Sequence, residues 1–101
     1  MQMSKLFVIA IRWTQLELEP ERVDWALGPI GRWLRYNADT WFVATHLNAP
    51  EIYEKIRPSV GSSGVMVLEI NPLGQRSGLA PPWVWDWFDE VRPYNALTQV
   101  R

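Results

Sequence analysis

Residues 32–47 read RWLRYNADTWFVATHL, two strand-like runs around a short polar loop, and this stretch decides the fold. Arg32 to Tyr36 and Thr40 to Leu47 are rich in aromatic and β-branched residues, which suit a pleated, half-buried surface. Between them, Asn37-Ala38-Asp39 supplies the residue types that tolerate turn geometry. The stretch reads as a β-hairpin. Upstream, Pro20 opens a helix that Gly28-Pro29 ends, with Val23, Ala26 and Leu27 at helical spacing. Glu17, Glu19, Glu21 and Asp24 near its start suit the helix dipole and form a solvated acidic face. Before that helix, Lys5 to Arg12 (KLFVIAIR) is an apolar run that reads as a buried strand.

Downstream of the hairpin, Asn48 stands three residues before Glu51, the spacing of a capping box, and Pro50 falls in the first turn. This helix carries Ile52 and Ile56 toward the core and is expected to stop before Pro58. Gly61-Ser62-Ser63-Gly64 reads as a flexible loop, and Val65 to Ile70 (VMVLEI) as another apolar strand. The order β-α-β-β-α-β is that of the ferredoxin-like α+β fold, a four-stranded antiparallel sheet with both helices on one face. That core is expected over residues 1–72. An irregular connection and a Trp-rich helix follow over 73–92, then a flexible tail over 93–101.

The chain has 101 residues, a formal net charge of −1 and no cysteine, which excludes a disulfide framework and a thiolate metal site. Its cations are eight Arg and two Lys, so nucleic-acid contact would need a local cluster rather than a global positive field. The first apolar run, Leu6 to Ile11, is too short for a signal core or a membrane span. A cytoplasmic protein without a membrane partner is the expectation.

Strand side chains alternate between faces, and here both sets are apolar. Phe7, Ile9 and Ile11 oppose Leu6, Val8 and Ala10; Trp41 and Val43 oppose Phe42 and Ala44; Met66 and Leu68 oppose Val65 and Val67. Two helices cover one face, leaving Leu6, Val8, Phe42, Ala44, Val65 and Val67 for a second cover. That cover is the C-terminal segment, a second copy of the chain, or both. Trp83 to Val91 (WVWDWFDEV) reads as a helix with Trp83, Trp87 and Val91 on one side. Rings at 83, 85 and 87 spread over about 200° of a helix, so at least one must point away from the sheet. Trp83, Trp85, Trp87 and Phe88 are either a lid on the domain's own sheet or anchors for a partner.

Several segments resemble the SinR-like proteins, relatives of the CRISPR-associated adaptation nuclease superfamily. They are Trp33-Leu34-Arg35-Tyr36, Asp39 to Thr45, Ala49-Pro50-Glu51-Ile52, Ile56-Arg57-Pro58, Val65 to Ile70, and Trp83 through Phe88, in that order. The resemblance implies a ferredoxin-like fold, frequent homodimers and an ancestral link to metal-dependent nucleic-acid cleavage. It also implies an Asp at the end of the first strand to help hold a metal. This chain has Ile11-Arg12-Trp13 there, a fixed positive charge in place of a hard oxygen donor. No catalytic residue, metal or cofactor carries over.

With the first and third strands read as parallel central neighbours, Arg12 and His46 share one sheet end with Ser62 and Ser63. That set could bind a phosphate or carboxylate. The plainer alternative pairs Arg12 with an acid and leaves His46 at a strand end. Gly61 to Gly64 lacks the lysine of a phosphate loop and does not enter a helix. Arg32 and Arg35 beside Trp33 and Tyr36 have the basic and aromatic mix of a single-strand-binding surface, or of an edge strand guarded by charge. Three functions follow: a non-catalytic homodimeric binding or scaffold protein, a metal-dependent RNA- or DNA-cleaving enzyme of a defence or toxin–antitoxin system, or a small-ligand sensor.

Overall fold

The computed structural model describes residues 4–14, 19–71 and 74–91. The expected tail over 93–101 lies outside the described residues. The elements are β1 (Lys5–Arg12), α1 (Pro20–Leu27), β2 (Arg32–Asn37), β3 (Thr40–Thr45), α2 (Ala49–Val60), β4 (Gly64–Ile70) and α3 (Pro82–Glu90). One sheet has the order β2-β3-β1-β4, and every neighbouring pair is antiparallel. This is the α+β arrangement of the ferredoxin-like order, with α3 added. β1 and β3 are central neighbours as expected, but they run in opposite directions, Lys5 facing Thr45. The reason is the hairpin: β2 returns parallel to β1 through α1, and the turn after Asn37 then reverses β3.

One core fills the space between the sheet and the first two helices. Phe7, Ile9, Ile11, Trp41 and Val43 meet Val23 and Leu27 of α1 and Ile52, Ile56 and Val60 of α2. Ile52, Ile56 and Val60 recur every four residues, so one stripe of α2 is buried. That stripe explains why α2 does not stop before Pro58. Pro58 removes one amide donor near the helix end, and burial of Val60 one turn past Ile56 offsets the loss. The start of α2 is the expected capping box: Asn48 Oδ1 accepts from the Glu51 amide and Glu51 Oε1 from the Asn48 amide, both at 2.9 Å. Asn48→Ala is expected to lower stability by about 1 kcal/mol, read as a drop in the urea midpoint at unchanged slope.

The far face of the sheet corrects the expected assignment. Ile9 faces Val67 and Ile11 faces Val65, so these two valines join the helix-side core. Directly opposed residues share a face, and a register fixed one residue over exchanges the two sets. The far face instead receives Met66, Leu68 and Ile70, opposite Ala10, Val8 and Leu6.

Helix α3 lies across part of that face. Val91 packs with Leu6 and Ala44, and Ile70, Trp87 and Phe88 close around them. Phe88 meets Phe42 edge to face at 4.8 Å. Val84 is buried, whereas Trp83 is 58% exposed. The helix thus buries Val84, Trp87, Phe88 and Val91, an i, i+3, i+4, i+7 stripe, and not the expected side of Trp83, Trp87 and Val91. The smaller Val84 fits beneath the helix, and Trp83 is the ring that points outward.

Candidate functional site

The antiparallel pairing takes the anticipated anion site apart. Arg12 faces Gly64 at one end of the sheet. His46 follows Thr45, the partner of Lys5, at the other end. Ser62 and Ser63 remain beside the end of β1, but their hydroxyls are engaged with Thr14. The Thr14 amide donates to Ser63 Oγ at 3.2 Å, and Thr14 Oγ1 lies 3.3 Å from Ser62 Oγ and 3.5 Å from Ser63 Oγ. These contacts staple the chain leaving β1 to the turn between α2 and β4. Trp13 adds to the staple by donating from Nε1 to the Ala38 carbonyl at 2.8 Å. The group is a structural clasp, with Arg12 exposed at its rim.

The basic and aromatic residues of β2 also have partners within the molecule, although Arg32 and Tyr36 stay exposed. Arg32 pairs with Glu90 of α3 at 2.9 Å. Arg35 reaches Asp24 at 3.6 Å and Glu21 at 3.9 Å, both on α1. Asp24 also accepts from Trp41 Nε1 at 2.8 Å, which ties α1, β2 and β3 together. Trp33 packs against the core, and Tyr36 stands edge-on to Phe42 at 6.5 Å. The groove along this edge, about 570 Å³, is lined by Asp24, Asp86 and Glu90 as well as by Trp33, Trp83 and Arg35. Three carboxylates make it a poor match for a phosphate backbone.

The opposite edge has a different character. β4 reads GVMVLEI, with no Pro, Lys or Arg, and pairs with β1 through seven consecutive residues. Among the described residues, nothing comparable to the Arg pairs of β2 guards its outer side. Met66 is 59% exposed and Leu68 53% exposed, on the part of the far face that α3 leaves bare. Val8 and Ala10 lie half-buried beside them on β1. Of the anticipated interface residues, Leu6, Trp87 and Phe88 are spent on α3 packing, and Trp85 stacks under the Arg76 guanidinium at 5.4 Å. Val8 remains on the bare strip, and Met66 and Leu68 replace Val65 and Val67. The signal for them was present in the alternation of β4, but an all-apolar strand does not say which side faces the helices.

Among the described residues, no three His, Cys, Asp or Glu side chains converge in a way that could hold a metal ion. No helix of the described residues is long and apolar enough to cross a membrane. No known protein family, curated protein or solved structure matches the chain. The class is therefore defined by geometry alone: an α+β protein of ferredoxin-like order, with one sheet edge guarded and the other bare among the described residues.

Proposed function

We propose that the protein is a small, non-catalytic binding or scaffold module that works as a homodimer joined on its β4 side. The observation that carries this reading is the exposure of Met66 and Leu68 on a strand whose outer edge has no guard among the described residues. An edge strand presents unpaired backbone donors and acceptors, and natural proteins blunt such edges with charge, proline, bulges or a covering element. β2 has several of these devices: two paired arginines, flanking helices, and a register irregularity between Arg35 and Asn37. β4 offers one glutamate. An apolar strip without charge gives no handle for an oppositely charged partner, and a second copy of itself complements it best.

A link to nucleic acid is supported by the resemblance of the segments between Trp33 and Phe88 to the SinR-like proteins. Arg12 in place of a metal-binding acid favours holding over cutting, since a fixed cation repels a divalent ion.

Sedimentation velocity tests the assembly. The wild-type chain is expected to sediment as a dimer with a melting temperature that rises with protein concentration, and Leu68→Lys as a monomer with unchanged circular dichroism and a lower, concentration-independent melting temperature. The lysine lies on an exposed position, so it changes the edge without touching the core. A wild-type chain that stays monomeric at high concentration overturns the reading.

A further inference from the structure

The groove at the β2 edge is a surface separate from the β4 side, because β2 and β4 are the two outer strands of the sheet. We infer that this groove binds a small organic cation with an alkylated ammonium head, of the trimethylammonium kind. The pattern along α3, the sign of the charge and the spacing of the acids each point to that chemistry.

Helix α3 carries two stripes. Val84, Trp87, Phe88 and Val91 face the sheet. Next to them Trp83, Asp86, Trp87 and Glu90 stand at i, i+3, i+4 and i+7, and all four line the groove. This second stripe alternates ring, acid, ring, acid, with Trp83 and Trp87 about 6 Å apart along the helix axis. Trp33 of β2 lines the same groove. The groove thus gathers three indoles, the rings that attract a cation over their faces most strongly. The helix already uses this chemistry once, where Trp85 receives the Arg76 guanidinium at 5.4 Å. Trp83 is 58% exposed, so a ligand can reach its ring from solvent.

Charge selects the sign of the ligand. Arg35 is the one cation lining the groove, and Asp24 at 3.6 Å and Glu21 at 3.9 Å already offset it. Glu90 is matched by Arg32 at 2.9 Å. Asp86 adds a further carboxylate between the two exposed turns of the stripe, so the groove favours cations over anions.

Spacing selects the head group. A metal ion or a primary ammonium takes several oxygens at contact distance, and no three acidic side chains of the described residues converge to hold a metal. An alkylated ammonium presents methyl groups instead of N–H donors. It asks for ring faces with a carboxylate nearby, which is what the stripe offers. The groove holds about 570 Å³, within the roughly 300–1,000 Å³ of small-molecule sites.

Choline is the probe, with dimethylbutanol as its neutral isostere and ethanolamine as its primary-ammonium counterpart. Two-dimensional NMR follows the indole Nε1–H signals through each titration. Choline is expected to shift the Trp83 signal saturably and to leave that of Trp25, 74% exposed on α1, in place. Dimethylbutanol and ethanolamine are expected to bind at least about threefold more weakly. Trp83→Ala is expected to weaken choline binding about 3- to 10-fold, and Asp86→Asn about twofold. Both positions are exposed, so both variants should melt close to the wild type, and Trp25→Ala should bind choline unchanged. No saturable shift, equal affinity for dimethylbutanol, or unchanged affinity in Trp83→Ala overturns the site. A peptide with one trimethyllysine tests the source of the head group: binding more than about tenfold tighter than choline overturns the small molecule in favour of a protein partner. None of these readouts depends on whether the chain sediments as a dimer.

Discussion

Trp41→Ala is expected to lower the unfolding free energy by about 3–5 kcal/mol, because it removes the largest of the fully buried side chains. Trp41 lies on β3 in the middle of the core. It faces Ile9 across the sheet and meets Trp13 edge to face at 6.5 Å. Removing the indole leaves a cavity among rigid neighbours on a central strand, where collapse is difficult. The same change removes the donor that Asp24 accepts at 2.8 Å. Asp24 has only 11% of its side chain exposed, and Arg35 at 3.6 Å becomes its remaining partner. Trp41→Phe separates the two contributions, since it keeps most of the volume and loses the hydrogen bond. Its expected cost is about 1.5–3 kcal/mol, below that of alanine. Urea titrations of the three proteins give the comparison; a phenylalanine variant as damaged as the alanine one would mean that the carboxylate contact dominates.

Gly31→Ala is expected to cost about 1–3 kcal/mol or more, although it adds a single methyl group. Gly31 sits between the end of α1 and the start of β2. A Cβ there would overlap the Ala44 carbonyl oxygen and stand 3.1 Å from the Thr45 Cβ. The neighbours cannot withdraw easily, because Thr45 Oγ1 donates to the Ile30 carbonyl at 2.6 Å and Ala44 belongs to a central strand. Space is the constraint, since Gly31 does not have a positive φ. Gly28 provides the control. It ends α1 in the right-handed helical region, and an added Cβ would meet nothing closer than 3.7 Å. The ring of the following Pro29 disfavours the helical region for a residue with a Cβ before it, which offsets the gain through the unfolded chain, so Gly28→Ala is expected to be near neutral. Melting temperatures of the two variants, measured side by side, should show a clear drop for Gly31→Ala and little change for Gly28→Ala.

Local chemistry made much of the fold legible. The Asn37 to Asp39 turn, the Asn48 and Glu51 cap and Pro20 at the start of α1 each act within a few residues, and each appears where the sequence places it. What failed depended on register and direction. The apolar residues of β4 leave two choices of face, and pairing with β1 makes the choice. Parallel β1 and β3 would bring Arg12 and His46 together; the hairpin reversal sets them at opposite ends. The arginines of β2 looked available because their partners, Glu90, Glu21 and Asp24, are distant in the chain. In α3 the conspicuous tryptophans concealed the plainer stripe of Val84, Trp87, Phe88 and Val91.

The position of β1 between β3 and β4 bears on how the chain is made in the cell. A nascent chain that has delivered the hairpin can zip β1 to β3, but the first strand keeps one side open until Ile70 has emerged from the ribosome. The last strand to arrive is also the one whose outer edge is bare among the described residues. Translation order therefore shortens the interval in which β4 is exposed without the support of the first strand.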